Sequence, residues 1–451
     1  MHMWTRVTRS WTIALRGVAA AAVAVAVLAV AAATAQAQVK GLYYQEIEKD
    51  GRIYVFNSPE RLKLWQASGD MGTSITLIGR GPNGETVVGE NDTAIDLYLF
   101  KHNLPAYDRP TPAPPPPAPP SFPQVKIGGT WYLSYQDGES NAKDFSRFTI
   151  KRGYIIVDTK ITPWMSARIT PDTTIDSTGD IKVRIKYAYA KFASPDLGFI
   201  TKPEMEVGVA HMPWLDFEEH INNYRMQDTM FMERNGLFNS ADIGVTMMGL
   251  LGGTLPEAYQ KTVSKDYPGR YGSFAFGVYN GGGYHASEAN TNKVIEGRLT
   301  IRPLPDVVPG LQISYFGING KGNTAAEPDW TLNSAMLSYE HSRFVVTGTW
   351  ADGTGNQKGD AVDAAGNALD RDGWSVFAEA KLTPKWGLIG RYDQFDPNTS
   401  LDDDENTRTI AGLVYHLGKG NDIVLDYDKV DYTKPGKPTD DRVQLTLQVK
   451  Y

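Results

Sequence analysis

The final ten residues alternate without interruption between polar and apolar side chains. One face of the predicted β-strand carries polar groups, namely Arg442, Gln444, Thr446, Gln448 and Lys450. The opposite face carries Val443, Leu445, Leu447, Val449 and Tyr451. Such a strand suits either the edge of a soluble β domain or the wall of a membrane barrel, whose apolar face meets lipid. Since about 9–11 residues cross a bilayer as a tilted strand, the length favours the barrel.

The same alternation recurs upstream, between polar stretches rich in Gly, Asp and Asn, and it predicts sixteen strands. The predicted ranges are 125–136, 145–158, 163–172, 182–193, 202–211, 239–250, 269–279, 292–302, 310–319, 330–340, 342–351, 373–382, 385–395, 406–417, 420–431 and 441–451. A Lys or Arg on the lipid face costs up to roughly 2–4 kcal/mol near the midplane, so the charged positions fix which face points inward.

The connections between these strands fall into two groups. Those at 162–164, 340–342, 382–384 and 417–421 are short, whereas those at 172–180, 320–329, 351–372 and 396–407 are long and polar. Outer-membrane barrels separate short turns from long loops in this way, and a soluble sandwich does not. Residues 251–268 depart from the rule, because about eighteen residues lie where a short turn is expected. Either the predicted strand ends are misplaced there, or the connection carries a short helix around Pro256–Thr262. The expected fold is therefore all-β: a 16-stranded antiparallel transmembrane β-barrel over residues 124–451.

The amino terminus has the three parts of a secretory signal peptide, predicted at residues 1–37. Arg6, Arg9 and Arg16 precede an Ala/Val-rich run, and Ala35-Gln36-Ala37 supplies the cleavage site. A membrane anchor is the alternative, but the run is short and rich in Ala. The chain has no Cys, which excludes disulfides and lipid attachment at a cysteine.

Residues 38–108 are predicted to form a small α/β periplasmic domain. Asp50-Gly51 predicts a hairpin, Ser58-Pro59 a helix start, and Asn91 or Asp92 a second helix start. Gly79–Gly84 matches the letters of a dinucleotide fingerprint, but the strand-like residues that follow favour a turn. The Pro-rich residues 109–123 predict an extended linker.

Charge and motifs exclude several function classes. The net charge of −7 argues against a nucleic-acid partner. Neither H-E-x-x-H nor G-x-S-x-G occurs, so the sequence predicts no enzyme, no cofactor and no metal site. Asp402–Glu405 is acidic enough to hold Ca²⁺ loosely, but a solvated loop explains it better.

The stretch from Phe274 to Gly283, followed by Asn290, Arg298 and Pro303, resembles the Tyr-Asn-Gly region of phosphate-selective porins of the O and P type. In that family a strand leads into a Gly-rich loop and an Arg-bearing strand that ends at Pro. The aromatic Tyr451 likewise resembles the terminal signal of bacterial outer-membrane proteins. The resemblance covers about residues 124–451. It implies a homotrimer in outer-membrane lipid, with the third external loop folded into each barrel.

The third external connection, residues 212–238, is rich in aromatic and Met side chains, so we expect it to pack against the inner wall and narrow the pore. A trimer contact or a cap over the mouth is the alternative. Its charged residues form the predicted constriction: Asp216, Glu218, Glu219, Arg225, Asp228, Glu233 and Arg234.

A row of basic residues is predicted to line the pore. Lys182, Arg184 and Lys186 share one face of the fourth strand, opposite a face with Ile181, Val183, Ile185, Tyr187 and Tyr189. Other strands are expected to add Arg147, Lys151, Arg168, Arg298 and Arg302. Such a row favours anions, whereas the acidic third loop opposes them.

The sequence therefore predicts an outer-membrane porin, that is, a water-filled diffusion channel for small hydrophilic solutes and ions. An anion- or phosphate-selective channel that uses the Lys/Arg row is the first alternative. A structural barrel tethered to the cell wall is the second, with peptidoglycan or a periplasmic protein as the partner of residues 38–108.

Overall fold

The structure of the protein is a computed structural model, which describes residues 42–109 and 121–451. The predicted signal peptide and residues 110–120 of the predicted linker lie outside these ranges. The described residues form two compact units, one within 42–109 and the other within 121–451. Among the described residues, no helix is long and apolar enough to cross a membrane.

The first unit combines a four-stranded sheet with two helices. Its elements are β1 (Gln45–Lys49), β2 (Arg52–Phe56), α1 (Pro59–Ser68), β3 (Ile75–Leu77), β4 (Thr86–Gly89) and α2 (Asp92–Lys101). The sheet order is β1-β2-β4-β3, with β2 and β4 parallel. The buried side chains include Val55, Phe56, Val87, Ile95 and Tyr98.

Local sequence signals explain these elements. Asp50 and Gly51 both adopt positive φ and close the β1–β2 hairpin, as such a turn requires. Ser58 and Asn91 each accept a backbone N–H of the helix that follows, and Pro59 occupies the first turn of α1. The predicted hairpin and the two predicted helix starts are confirmed.

The second unit is a closed barrel of sixteen antiparallel strands. The strands are β5 (Gln124–Ser140), β6 (Lys143–Lys160), β7 (Met165–Ile175), β8 (Ile181–Ala193), β9 (Ile200–His211), β10 (Ala241–Leu251), β11 (Gly272–Tyr279), β12 (Val294–Ile301), β13 (Leu311–Lys321), β14 (Asp329–Glu340), β15 (Phe344–Thr354), β16 (Asp370–Lys381), β17 (Trp386–Asp396), β18 (Asn406–Gly418), β19 (Asn421–Tyr432) and β20 (Asp440–Lys450). Consecutive strands are neighbours, and β20 pairs with β5 to close the sheet. The predicted fold class is confirmed.

The outer surface of the barrel is apolar, whereas its interior holds many polar side chains beside an apolar group that includes Phe316 and Phe377. On β20, Gln444 and Thr446 are fully buried, whereas Leu445 and Leu447 remain partly exposed. Exposed apolar side chains on other strands include Ile313, Tyr315, Leu337, Trp350, Val376 and Leu388. Buried polar side chains on the same strands include Gln312, Ser314, Ser338, Thr349, Ser375 and Arg391. Exposure of this apolar outer surface to water costs free energy, whereas contact with the acyl chains of a bilayer is favourable.

The two ends of the barrel differ in their connections. We call one the turn end; it carries residues 161–164, 194–199, 252–271, 302–310, 341–343, 382–385 and 419–420. The loop end carries residues 141–142, 176–180, 212–240, 280–293, 322–328, 355–369, 397–405 and 433–439. The expected helix in the long turn-end connection is present as α5 (Glu257–Thr262). The expected long loop at 172–180 is wrong, because β7 and β8 extend far enough to leave only 176–180 between them.

A bulge in β8 overturns part of the predicted strand pattern. Lys186 has no partner in the ladder between β7 and β8. This extra residue shifts the alternation, so Tyr187 and Tyr189 face inward with Lys186, and both rings contact His211. The prediction that these tyrosines share a face with Ile181 is therefore wrong.

Candidate functional site: the barrel interior

Residues 212–240 connect β9 to β10 inside the barrel, and we call them the inner segment. The segment contains α3 (Leu215–Ile221) and α4 (Phe231–Arg234). Its buried apolar side chains include Met212, Trp214, Phe217, Tyr224, Met226, Met230, Phe231 and Met232. Trp214 stacks on Phe316 with 5.3 Å between ring centroids, and the Tyr224 hydroxyl donates to Glu379 at 2.5 Å. Because Phe316 and Glu379 face inward, the segment lies against the inner wall.

Basic side chains of the wall donate hydrogen bonds to backbone carbonyls of the inner segment. Lys151 Nζ donates to the carbonyls of residues 226 and 227 at 2.7 and 2.6 Å. Three arginines donate to other carbonyls of the segment. Arg298 donates to the carbonyl of residue 213 at 2.9 Å, Arg391 to the carbonyl of residue 229 at 2.8 Å, and Arg371 to the carbonyl of residue 235 at 2.7 Å. Charged donors make the stronger class of hydrogen bond, so these contacts anchor the segment along its length.

Asp228 is the main electrostatic anchor of the inner segment. Its Oδ2 accepts from Arg408 and Arg442, each at 2.5 Å, and lies 3.9 Å from Arg234. Burial alone would raise the pKa of Asp228, but the three guanidinium groups hold it well below its usual range. Asp428, on β19, accepts from the same two wall arginines.

The other predicted charges of the segment are also paired. Arg225 is buried and donates to Glu219, and to both oxygens of Glu233 at 2.6 and 2.9 Å. Arg234 contacts Asp393 at 3.2 Å. The excess of acidic residues in the segment is therefore offset by arginines of the segment and of the wall.

Glu218 is buried and accepts a hydrogen bond from the Trp214 ring N–H at 2.8 Å. Burial raises its pKa to about 7, although the charge of Arg391 and the Trp214 hydrogen bond oppose the shift. A carboxyl group with this pKa is partly protonated near neutral pH.

This raised pKa predicts a pH-dependent stability. Between the unfolded value of about 4.3 and the folded value, the folded state retains a proton that the unfolded state has released, so stability falls as pH rises through this window. Glu218→Gln has a neutral side chain at every pH, so its free energy of unfolding should not fall across this window. Urea unfolding in detergent at several pH values measures the free energy of unfolding. Glu257→Gln, at an exposed site on α5, is the control and should follow the wild type. A parallel loss of stability in wild type and Glu218→Gln would contradict the assignment.

Asp216 joins the inner segment to the turn end of the barrel. It accepts from the Tyr267 hydroxyl at 2.5 Å, and Tyr267 lies in the long connection 252–271. His220 and His211 lie 3.5 and 3.9 Å from its carboxylate. Burial would raise the pKa of Asp216, but these two histidines and the Tyr267 hydroxyl hold it far below its usual range.

The predicted basic row on β8 faces inward but is only partly available to ions. Lys182 is exposed, and Arg184 lies 3.3 Å from the buried Asp172. Lys186 is buried, with its Nζ 4.9 Å from the Tyr154 ring centroid. Arg152, which the sequence analysis missed, also contacts Asp172, at 2.6 Å. A bulge at Lys151 turns Arg152 inward, and the alternation alone does not reveal it.

The other predicted basic residues differ in their surroundings. Arg168 pairs with Asp158 through two hydrogen bonds of 2.7 and 3.0 Å. Arg298 and Arg302 are buried; Arg298 lies over the Phe217 ring, and Arg302 donates to backbone carbonyls of the turn end. Arg147 lies on β6 near the loop end, with its guanidinium over a neighbouring aromatic ring.

A cavity of about 550 Å³ lies between the inner segment and the turn end. Its basic lining comprises Arg168, Lys186, Arg225, Lys265, Lys381 and Lys450, and its acidic lining Asp216, Glu219, Asp266, Glu379 and Asp422. Aromatic rings complete the wall: Tyr132, Tyr154, Tyr187, Tyr224, His211, His220 and His416. Five predicted site residues thus meet in one cavity: Arg168, Lys186, Asp216, Glu219 and Arg225.

The sequence analysis missed the three histidines and the acidic residues of the opposite wall. His416 contacts Asp422 at 2.7 Å, and both line the cavity with Glu379. The period-two pattern places His416 and Glu379 inward on their strands, but it does not say which positions meet. It does not account for His211, the last residue of β9, or for His220, which lies on α3. In the part of the chain that the structure describes, no cluster of His, Asp and Glu has the geometry of a metal site.

Comparison with known proteins supports the fold class. No known protein family matches the sequence, and no curated protein matches it. Among solved structures, the chain is similar to an anion-selective porin from Comamonas acidovorans, with a TM-score of 0.51, 10% identity, and coverage of 73% of this chain and 100% of that one. It is also similar to the outer-membrane channel DcaP of Acinetobacter baumannii, with a TM-score of 0.49, 14% identity, and coverage of 73% and 97%. At such low identity, the first similarity shows a shared barrel fold.

Proposed function

We propose that this protein is an outer-membrane porin that forms a water-filled diffusion channel for small hydrophilic solutes and ions. The observation that carries the proposal is the closed barrel with an apolar outer surface and many polar and charged side chains in its interior. The same proposal takes residues 1–37 as a signal peptide. It makes the turn end periplasmic and the loop end external.

The inner segment is proposed to narrow this channel. Its contacts with β6, β12, β16, β17 and β20 support a constriction built from inside the barrel rather than a cap over its mouth. The cavity on the turn-end side would then be the vestibule below the constriction. Its mixed basic and acidic lining favours a channel with weak charge preference over a phosphate-specific one.

Planar-bilayer recording tests the channel. The purified protein should insert in discrete conductance steps, and heat-unfolded protein should give none. If the folded protein in bilayers gives no steps, the porin proposal is wrong, and the structural barrel tethered to the cell wall becomes the better account.

The anion-selective alternative keeps one specific observation in its favour, the inward row on β8. Lys182→Ala/Arg184→Ala/Lys186→Ala should shift the reversal potential in a KCl gradient toward cation selectivity, because three positive charges leave the lumen. Removal of three exposed positive charges from the first unit, in Lys49→Ala/Arg52→Ala/Lys63→Ala, is the matched control and should leave the potential unchanged. An unchanged potential in the β8 variant would exclude a role of this row in selectivity.

We further propose that the protein is a homotrimer in outer-membrane lipid. Residues 38–108 would form a periplasmic domain, and residues 109–123 the linker between it and the barrel. Binding of that domain to peptidoglycan is a separate proposal that co-sedimentation of the intact protein with purified cell walls tests. Cross-linking in outer-membrane vesicles tests the trimer.

A further inference from the structure

A cleft of about 560 Å³ opens in the first unit between α1, the start of α2 and the edge strand β3. Polar side chains from both helices line it, together with the aliphatic Leu64 and Ile75. Neither the barrel interior nor the proposed channel uses this cleft, so its chemistry needs a separate explanation.

Within residues 42–109 and 121–451, one buried carboxylate oxygen of the lining has no hydrogen-bond partner. Glu90 is 6% exposed and lines the cleft. Its Oε1 accepts the backbone N–H of Asn57 at 2.8 Å, whereas Oε2 is buried without a hydrogen-bond partner among the described residues. Buried carboxylate oxygens nearly always accept a hydrogen bond, so Oε2 is an acceptor to which a bound group would donate.

The surrounding charge selects a cation as that group. Among the lining residues, Glu60, Glu90 and Asp92 stand against the one positive charge of Arg61, and Asp92 is itself paired with Arg109 outside the lining at 3.4 Å, which leaves Glu60 and Glu90 as the acidic excess. The N-termini of α1 and α2, which would attract an anion, are already capped by side chains and carry Glu60 and Asp92 in their first turns. The cleft therefore carries negative charge near the two helix N-termini, which by themselves would give it a positive potential.

The aliphatic lining indicates what carries the positive charge. Leu64 is 59% exposed on α1, and Ile75 is partly buried at the start of β3. We propose that the cleft binds a primary alkylammonium group, whose ammonium donates to Glu90 Oε2 and whose carbon chain lies along Leu64. A free diamine and an amino side chain of a peptide share this chemistry.

Isothermal titration of the full-length protein in detergent tests the proposal, with 1,4-diaminobutane as the probe. Glu90→Gln preserves the Oε1 acceptor and the size of the side chain but removes the charge, so binding should weaken at least about tenfold. The neutral analogue 1,4-butanediol should not bind. Glu48→Gln, an exposed charge removal on β1, is the matched control and should bind as the wild type does.

Wild-type affinity in Glu90→Gln, or equal binding of the diol, would overturn the proposal. Should Glu90→Gln fail to fold by circular dichroism, Leu64→Ser provides the second test, because Leu64 is 59% exposed and is proposed to pack along the carbon chain; unchanged binding there would also overturn the proposal. Soluble peptidoglycan fragments, intact or with acetylated amines, separate the two sources. If the intact fragments bind and the diamine does not, the ligand is an amino group of a peptide. If the diamine binds and the fragments do not, the ligand is a free diamine. No binding by either probe in the wild type overturns the proposal, whatever the barrel conducts.

Discussion

Replacement of residues 212–240 by a two-residue Asn-Gly turn should raise the single-channel conductance at least about twofold, because the proposed constriction is lost. The inner segment fills part of the lumen with a buried apolar cluster and with paired charges. Its removal leaves the strands intact, since His211 and Ala241 are direct partners in the β9–β10 ladder and a two-residue hairpin closes such a pair. Planar-bilayer recording measures the change.

The control is the same operation on another loop-end connection. Residues 355–369 also join direct partners, Thr354 and Asp370, so an Asn-Gly turn can replace them. This shorter chain should conduct as the wild type does, because the connection contributes much less to the interior. Equal conductance of all three proteins would show that residues 212–240 do not limit flow. Heat-modifiable migration in gels verifies that each barrel is folded.

Asp228→Ala should destabilise the protein by about 3 kcal/mol, because Arg408, Arg442 and Arg234 lose a shared carboxylate in a partly buried site. Asp428 and Asp393 remain near these arginines, which keeps the loss below that of a fully isolated charge. Equilibrium unfolding in urea from detergent measures the stability. The same variant should shift the channel toward anions, because the interior gains positive charge.

Asp431→Ala is the control for this loss. Asp431 pairs with Lys429 at 2.8 Å, but both side chains are more than a third exposed, so its removal should cost less than about 1 kcal/mol. The low pKa of Asp228 also fixes the sign of a pH effect. Its stabilisation is present above the unfolded pKa and disappears as pH falls through the folded pKa, so the stability of Asp228→Ala should converge with that of the wild type only in strong acid. A loss in Asp228→Ala no larger than in Asp431→Ala would contradict its role as an anchor.

The barrel itself was predictable because its signal is local. Alternation with a period of two places every second residue toward lipid, and the penalty for a charge there sets the inward face without knowledge of any partner. All sixteen strands follow from this rule. The inward position of residues 212–238 followed instead from their apolar composition. The one interval that broke the loop pattern left two alternatives open, misplaced strand ends or a short helix, and the structure has the helix.

The interior was not predictable to the same degree, because its contacts join residues far apart in the chain. Tyr224 meets Glu379, and Asp228 meets Arg442, across more than 150 residues of sequence. Lys151 and Arg298, predicted as pore-lining charges, instead donate to backbone carbonyls of the inner segment.

The sequence by itself determined the number of strands, the outward face of the strands that have no bulge, and the inward position of residues 212–238, which are too apolar for a loop exposed to water. The tertiary structure alone decided which charges pair, which line the cavity, and where bulges at Lys151 and Lys186 reverse the alternation. The physical reason is one of range. The preference of a side chain for lipid or water depends on that residue alone. An ion pair or a bulge depends on which residues of the neighbouring strands lie next to it once the sheet has closed.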